Sequence, residues 1–411
     1  MPWIARDLES NWRSAALPVR IVRGIRQCGK SSLLEVLGPT RAQVTLDDAV
    51  ARDLANRDPA LFLAQHPPPV TIDEVQYAPP LFPELKRAVD LARRERRVRA
   101  DEDERIDVAW LTGSNQILLE REVRESLAGR ATIDTLHTLS VHELTGSGVL
   151  SRGAPIDALV RGGWPELYVD RSLDPARVLD DFILTYVERD IVAAAGIEKR
   201  GAFLQLLRFL AGRTAQLQNH ADLATKVGVQ VSTVSGWVDV LERMLVLRRL
   251  PPWSSNLEKR LTKAPKIHFL DVGLATRLQG WRGAEPMLDS PQAGHLFESL
   301  VFAEIQKAID HAHLPLEVHL WRTKEGEEVD FVVTRTDRGP GDRPEALALD
   351  AKLAIQGVRA EDLPTRFAKE FPRTERLHLV TLGGERRKLS ARCEQLPIAA
   401  LFDALAEFAL R

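Results

Sequence analysis

A chain of 411 residues exceeds what one hydrophobic core usually organises, so two or three domains are expected. Hydrophobic residues at 44% and charged residues at 28% are ordinary for a globular protein, and 56 basic against 58 acidic side chains leave a net charge of -2. That balance excludes a global electrostatic case for nucleic acid, so any polyanion site must be local.

The start, MPWIARDLES, lacks a basic stretch followed by an apolar run, and no later stretch approaches about 18 uninterrupted apolar residues. Neither a signal peptide nor a membrane span is expected. The two cysteines, Cys28 and Cys393, lie far apart in sequence and fit a reduced compartment, so a cytoplasmic location is the expectation.

In chain order, PVRIVRG reads as a short strand, and RGIRQCGKSSLL carries Gly24, Gly29, Lys30 and Ser31 in the pattern G-x-x-x-x-G-K-S/T. That spacing lets bare backbone wrap a phosphate chain while a lysine neutralises its charge. KSSLLEVLG continues with helical periodicity until Gly38 and Pro39 stop it. AQVTLDD and PVTIDEVQ are apolar runs ending in acids, and DVAWLTGSN is one ending in small polar residues. Alternating with helical stretches such as LFPELKRAVDLARRE, they predict a parallel α/β sheet with its site at the C-terminal edge of the strands. The charged segment over 93–105 reads as a solvated helix end and loop.

Hydrolysis of ATP needs an acid to hold Mg2+ and a group to orient or deprotonate water. Lys30 is expected to reach the β and γ phosphates, Ser31 and Asp73 to hold the metal, and Glu74 to act as general base. Residues 24–32, namely Gly24, Ile25, Arg26, Gln27, Cys28, Gly29, Lys30, Ser31 and Ser32, form the expected nucleotide contact. Ser114 or Asn115 is placed to sense the γ phosphate, or to make a tight turn after its strand. Arg130 is placed to present its guanidinium to the γ phosphate of its own or a neighbouring subunit, which brings in a homo-oligomer, or else to make a surface ion pair. Cys28 is either a site where oxidation blocks the loop or a small residue that fits.

From about residue 155 the periodicity becomes helical, over DPARVLDDFILTYVERDIVAA and RGAFLQLLRFLAGRT. NHADLATKVGVQVSTVSGWVDVLERMLVLRRL then reads as a helix, a turn through Gly228, a second helix capped by Ser232, and a strand, the order of a helix-turn-helix with a wing. Ser232, Thr233 and Ser235 offer hydrogen bonds. Arg248, Arg249, Lys259, Arg260, Lys263 and Lys266 are expected to line a phosphate track for DNA, the alternative being a packing module. After about residue 290 a helix, GHLFESLVFAEIQKAI, precedes the strand-like LEVHLWRT, EVDFVVTR, EALALDAKL and RLHLVTLG, with a polar turn at RTDRGPGDRPE. Glu298, Asp330 and Asp350 are candidate metal ligands, and Lys352, two residues beyond Asp350 and on its strand face, a candidate catalytic lysine. A structural or partner-binding domain is the alternative.

Taken together, GIRQCGKSSLL, TLDD, TIDEVQ, LTGSNQ, ESLAGR, RGGWPE, YVERDI, NLEKRLTKAPKIHFLDVGLA, GHLFESLVF and WRTKEGEEVDFVV run from about residue 20 to residue 355. On them the chain resembles the bacterial and archaeal ATPases that join an AAA+ module to a C-terminal domain of uncharacterised function related to the PD-(D/E)xK nuclease fold. The resemblance implies an α/β AAA+ P-loop core over 1–155, a helical, winged-helix middle over 156–288, and a restriction-endonuclease-like α/β domain over 289–411. Where that family commonly has Gly-Lys-Thr and Glu-x-Lys, this chain has Gly29-Lys30-Ser31 and Asp350-Ala351-Lys352. The expected protein is a Mg2+-dependent ATPase whose nucleotide state controls a winged-helix module and a nuclease-like domain acting on DNA. The rival reading is a nucleotide-controlled switch that binds DNA or protein without cutting.

Overall fold

The computed structural model describes residues 3–14, 17–99, 105–114, 116–151, 155–253, 264–337, 345–354 and 357–411. Asn115, Lys259, Arg260, Lys263 and most of the turn RTDRGPGDRPE lie outside them. The chain divides into two compact units, one of Arg6–His137 and one of Thr138–Arg411 together with the N-terminal residues up to Ala5.

In the first unit, β1 (Val19–Arg23), β2 (Ala42–Thr45), β3 (Val70–Asp73), β4 (Ala109–Gly113) and β5 (Ala131–Thr135) form one sheet in the order β2-β3-β4-β1-β5. Each pairing in it is parallel. The inner strands read as apolar runs because both faces are covered: Ile21, Ile72 and Leu111 are buried with Phe62, Phe82 and Leu85. Helix α1 (Lys30–Leu37) follows β1 and ends at Gly38, whose N–H donates to the Leu34 carbonyl. Helix α2 (Leu81–Arg99) buries Leu81, Phe82, Leu85 and Val89 and leaves its arginine-rich end outside. β5 was not announced by the sequence pattern, since ATIDT buries only Asp134 and leaves Ile133 exposed. The strand order sets β4 between the strand that enters the glycine loop and the strand that ends in Asp73. One sheet edge therefore gathers the loop, the acids and the small polar residues after β4.

In the second unit the expected helix over 174–194 is α-helical over Pro175–Phe182 and then π-helical over Ile183–Ile191. α3 (Arg200–Gly212) precedes β6 (Gln216–Leu217), and α4 (His220–Val227) and α5 (Val231–Arg243) are joined through Gly228, whose φ is +69°. Asn219 caps α4 by accepting from the Ala221 and Asp222 N–H groups. The expected cap of α5 is corrected: Gln230 stands at that position and Ser232 lies inside the first turn. β7 (Leu247–Leu250) and β6 flank β8 (Lys266–Phe269) in an antiparallel sheet.

α6 (Val272–Leu278) follows, then α7 (Ala293–Ala312) and a further sheet built from β9 (Leu316–Arg322), β10 (Glu328–Arg335), β11 (Leu347–Lys352), β12 (Leu377–Thr381), β13 (Arg387–Ser390) and β14 (Cys393–Pro397). Its order is β13-β14-β12-β11-β10-β9. β9 to β11 form an antiparallel meander, and β12 is parallel to both β11 and β14. Regions 156–288 and 289–411 thus share one compact unit.

The motifs RGGWPE and FLDVGLA meet inside this unit. Gly162 is left-handed at φ +62°, and a Cβ on it would lie 2.0 Å from Asp271 Oδ1. A Cβ on Gly163 would lie 2.1 Å from the Leu139 carbonyl oxygen, so both glycines are required by close approach.

Candidate functional site

The glycine loop runs from Gly24 to Gly29 between β1 and α1. A Cβ on Gly24 would sit 2.2 Å from the Leu136 carbonyl oxygen, and Gln27 and Gly29 take left-handed φ values of +63° and +97°. Cys28 is fully buried with its Sγ 3.3 Å from that same carbonyl, so it packs the loop. Arg6 braces the loop from outside, donating to the Cys28 carbonyl at 2.9 Å and to the His137 carbonyl at 2.7 Å. Ser32 is exposed on the first turn of α1, and Lys30 is buried, its Nζ 3.1 Å from both the Gly24 and Ile25 carbonyls. The ammonium is held at the mouth of the loop, where helix N–H groups and a positive charge together suit an anion. Lys30→Ala is expected to abolish ATP binding in an equilibrium titration without unfolding the unit; retained binding would remove the lysine from the phosphate site.

Asp73 ends β3, and its Oδ1 accepts from Ser31 Oγ at 2.9 Å and from Thr112 Oγ1 of β4. A serine hydroxyl and a carboxylate at this separation are hard oxygen donors suited to Mg2+, so these residues fit the metal. Glu74 is left-handed at φ +56°, and its N–H donates to Thr112 Oγ1 at 3.1 Å. Its Oε2 accepts from Ser114 Oγ at 2.9 Å and from the Ser114 and Gln76 nitrogens. β4 thus orients both acids. Ser114 acts through Glu74, and Thr112 and Gln76 have no counterpart among the sequence expectations; only the strand order brings them in. Asp47, two residues past β2, lines a cavity of about 310 Å³ with Ser31, Asp73 and Thr112. Burial, then Glu74 and Asp73, push its carboxyl above the ordinary range.

Arg130 is not brought to this edge. It precedes β5, its carbonyl accepts from the Val19 N–H at the start of β1, and the loop follows the other end of β1, about 13 Å away at strand rise. Its guanidinium grips Asp90 of α2 with Nε at 2.9 Å and Nη2 at 3.1 Å. The expected reach to the γ phosphate of its own subunit is therefore corrected to an ion pair, because a parallel strand carries its two ends to opposite edges.

The C-terminal acids do converge, with an addition. Asp330 is the third residue of β10, at the start of that strand and not at its end, and register places it opposite Asp350 of β11. The Asp330 N–H donates to Asp350 Oδ1 at 2.9 Å, and the Ala351 N–H to Asp330 Oδ2 at 2.9 Å. Lys266 of β8 enters from the side: its Nζ lies 2.6 Å from Glu298 Oε1, 2.6 Å from Glu328 Oε1 and 3.8 Å from Asp330 Oδ1. Lys352 turns to Glu361 at 3.1 Å. Two carboxylates already spend an oxygen on backbone donors, and a buried ammonium stands among the rest. That ammonium stands among Glu298, Asp330 and Asp350, the acids expected to hold a metal. Lys266 is therefore no part of a surface track. Arg248 faces Asp310 at 3.6 Å, and Arg249 bonds Glu242 at 2.7 Å and Asp239 at 2.7 Å.

Burial, and then Asp330, push Glu298 up to about 8; burial, and then Asp330, push Asp350 up to about 7. Burial alone would lower Lys266, but Glu298 and Asp330 outweigh it and hold the ammonium above its ordinary value. Raised carboxyls bind more protons folded than unfolded, so their contribution is complete below their ordinary values of 4.5 and 3.8 and lost as pH climbs through about 7 to 8. The unit from Thr138 onward is expected to lose stability between about pH 5.5 and about pH 8, read as a fall in its urea midpoint. A rising midpoint would show both acids ionised at the lower pH.

Residues 17–145 match the family described as AAA domain, 154–285 the domain of unknown function DUF8612, and 293–400 the domain of unknown function DUF4143. The Uncharacterized protein Rv2008c of Mycobacterium tuberculosis is 31% identical over 341 residues, covering 82% of this chain and 72% of that protein. The Uncharacterized protein Mb2031c of Mycobacterium bovis matches with the same figures. Among solved structures, the Walker-type ATPase PABY2304 of Pyrococcus abyssi aligns with a TM-score of 0.40 at 15% identity, over 67% of this chain and 96% of that one.

Proposed function

Since the chain belongs to the family of the mycobacterial proteins Rv2008c and Mb2031c, and its first unit is a P-loop ATPase of the AAA family, we propose that it is a Mg2+-dependent ATP hydrolase working as a nucleotide-controlled switch. One observation carries the reading: Ser31 on Asp73, and Ser114 with Gln76 on Glu74, aim a metal-holding pair and a candidate base at the mouth of the loop that holds Lys30. Lys30 exchanges its loop carbonyls for the β and γ phosphates. Ser31 and Asp73 would hold Mg2+, which would supply charge neutralisation at the phosphates. Glu74, fixed through Oε2, keeps Oε1 for a water proton. Ser114 would face the γ phosphate edge, and Asn115, the next residue in sequence, is the other candidate for that contact. Arg130 serves a site only in a neighbouring subunit of a homo-oligomer, on release from Asp90.

We read 156–288 as a winged-helix module and 289–411 as nuclease-like in fold, supported by the helix pair with its antiparallel strands and by α7 followed by the β9 to β11 meander. DNA or protein is the partner of these modules, and cytoplasm the location. Lys266 among the acids favours a domain that binds without cutting over a metal-dependent nuclease. The test is ATP turnover with and without Mg2+, alongside cleavage of supercoiled DNA in Mg2+ or Mn2+. The expected result is Mg2+-dependent turnover that Lys30→Ala removes, with intact DNA throughout. Nicking lost in Lys352→Ala would replace the switch with a nuclease.

A further inference from the structure

The acid cluster of the second unit is built from the buried Glu298 on α7 and Asp350 on β11 and the half-buried Glu328 and Asp330 on β10. Four carboxylates on one patch cannot all ionise in a low-dielectric setting without a cation. The chain supplies one from β8, a strand of a different sheet: Lys266 is only 5% exposed, and its ammonium meets Glu298 and Glu328 at 2.6 Å each and Asp330 at 3.8 Å. Two further cations lie at the edge of the patch: Lys352 pairs with Glu361 at 3.1 Å, and the half-exposed Arg322 sets its Nε 3.4 Å from Glu328 Oε2. Backbone amides already occupy one oxygen each of Asp330 and Asp350. A lysine ammonium is a compact point charge with three donors, and three carboxylate oxygens lie around this one.

We propose that the Lys266 ammonium is the resident cation of this cluster, occupying with the chain's own side chain the place a divalent metal would need. While the lysine is in place the patch is closed to divalent ions, and the acids act as a socket that pins β8 to the sheet of β9 to β14. The lysine comes from region 156–288 and the acids from region 289–411, so the socket is one of the polar joints between these two parts of one compact unit. The proposal goes beyond ATP hydrolysis and rests on none of the groups at the glycine loop.

The experiment is a Mn2+ titration of the full chain without nucleotide, read by loss of the free-ion paramagnetic resonance signal, in an Asp73→Asn background that silences the loop. With Lys266 present, no Mn2+ site that depends on Asp330 is expected. Lys266→Met is expected to open one site, at least about tenfold tighter than any binding in the Lys266 chain. Adding Asp330→Asn should remove it, and Lys266→Arg should leave the patch closed. A site in the Lys266 chain that Asp330→Asn abolishes would overturn the proposal, as would the absence of any site in Lys266→Met. Should Lys266→Met fail to fold, Lys266→Gln paired with Glu328→Gln removes one charge of each sign and is read the same way. Because the loop is silenced, failure here leaves the ATPase reading untouched, and loss of ATP turnover leaves this one untouched.

Discussion

Glu74→Gln is expected to lower ATP turnover by about 10²- to 10⁴-fold, the usual contribution of a general base, while ATP affinity stays within about threefold. The change is nearly isosteric. Gln keeps an oxygen to accept from Ser114 Oγ and from the Ser114 N–H, so the left-handed turn after β3 and the Asp73 shell survive. What it loses is the basic oxygen. Single-turnover hydrolysis and an equilibrium binding titration on the same variant separate the two effects. Unchanged turnover would remove Glu74 as base and make Asp47, which lines the adjoining cavity with Ser31 and Asp73, the next acid to test.

The second large effect is on stability. Asp271 is buried at the head of α6, and its carboxylate accepts from Thr138 Oγ1 at 2.8 Å, the Gly163 N–H at 2.9 Å and the Leu274 N–H at 3.1 Å. Gly162 and Gly163 let the backbone approach it, and Tyr168 Oη, donating to the Gly162 carbonyl at 2.6 Å, fixes that turn. Asp271→Ala removes a helix cap and leaves buried donors without acceptors, so a loss of about 3 to 5 kcal/mol is expected. Asn should fall between, since its oxygen serves one set of donors while its amide group faces another. The measurement is denaturant unfolding combined with ATP binding: the transition of the unit from Thr138 onward should move to lower denaturant, with nucleotide binding by Arg6–His137 retained. A shift below about 1 kcal/mol would mean that water satisfies the donors and that the glycine pair, not the carboxylate, holds the turn.

The glycine loop and the acids after β3 were legible because both are local: a phosphate loop needs glycines at fixed offsets, and a strand ending in Asp-Glu carries its own direction. RGGWPE and FLDVGLA were visible as motifs but not as partners, for the contact between Gly162 and Asp271 joins residues more than a hundred positions apart. The expected cap, Ser232, lies two residues past the true one because Gln230, a weaker capping type, begins α5 without a side-chain cap. Lys266 was the larger miss. In sequence it closes a run of cations, and composition gives no sign that its strand turns it inward.

What the sequence by itself determined is where the candidate groups of the first unit stand: Lys30 with Ser31, and Asp73 with Glu74, each pair set in a short-range motif. The tertiary structure alone decided which groups orient that chemistry and which charges are spent. Strand order put Thr112 and Ser114 of the β4 edge against the two acids. Parallel pairing carried Arg130 to the far edge, into the grip of Asp90. Packing of β8 set Lys266 among Glu298, Glu328 and Asp330. The physical reason is common to all three: a charge's partner is fixed by distance in space, and sequence spacing reports that distance only within one turn or one strand.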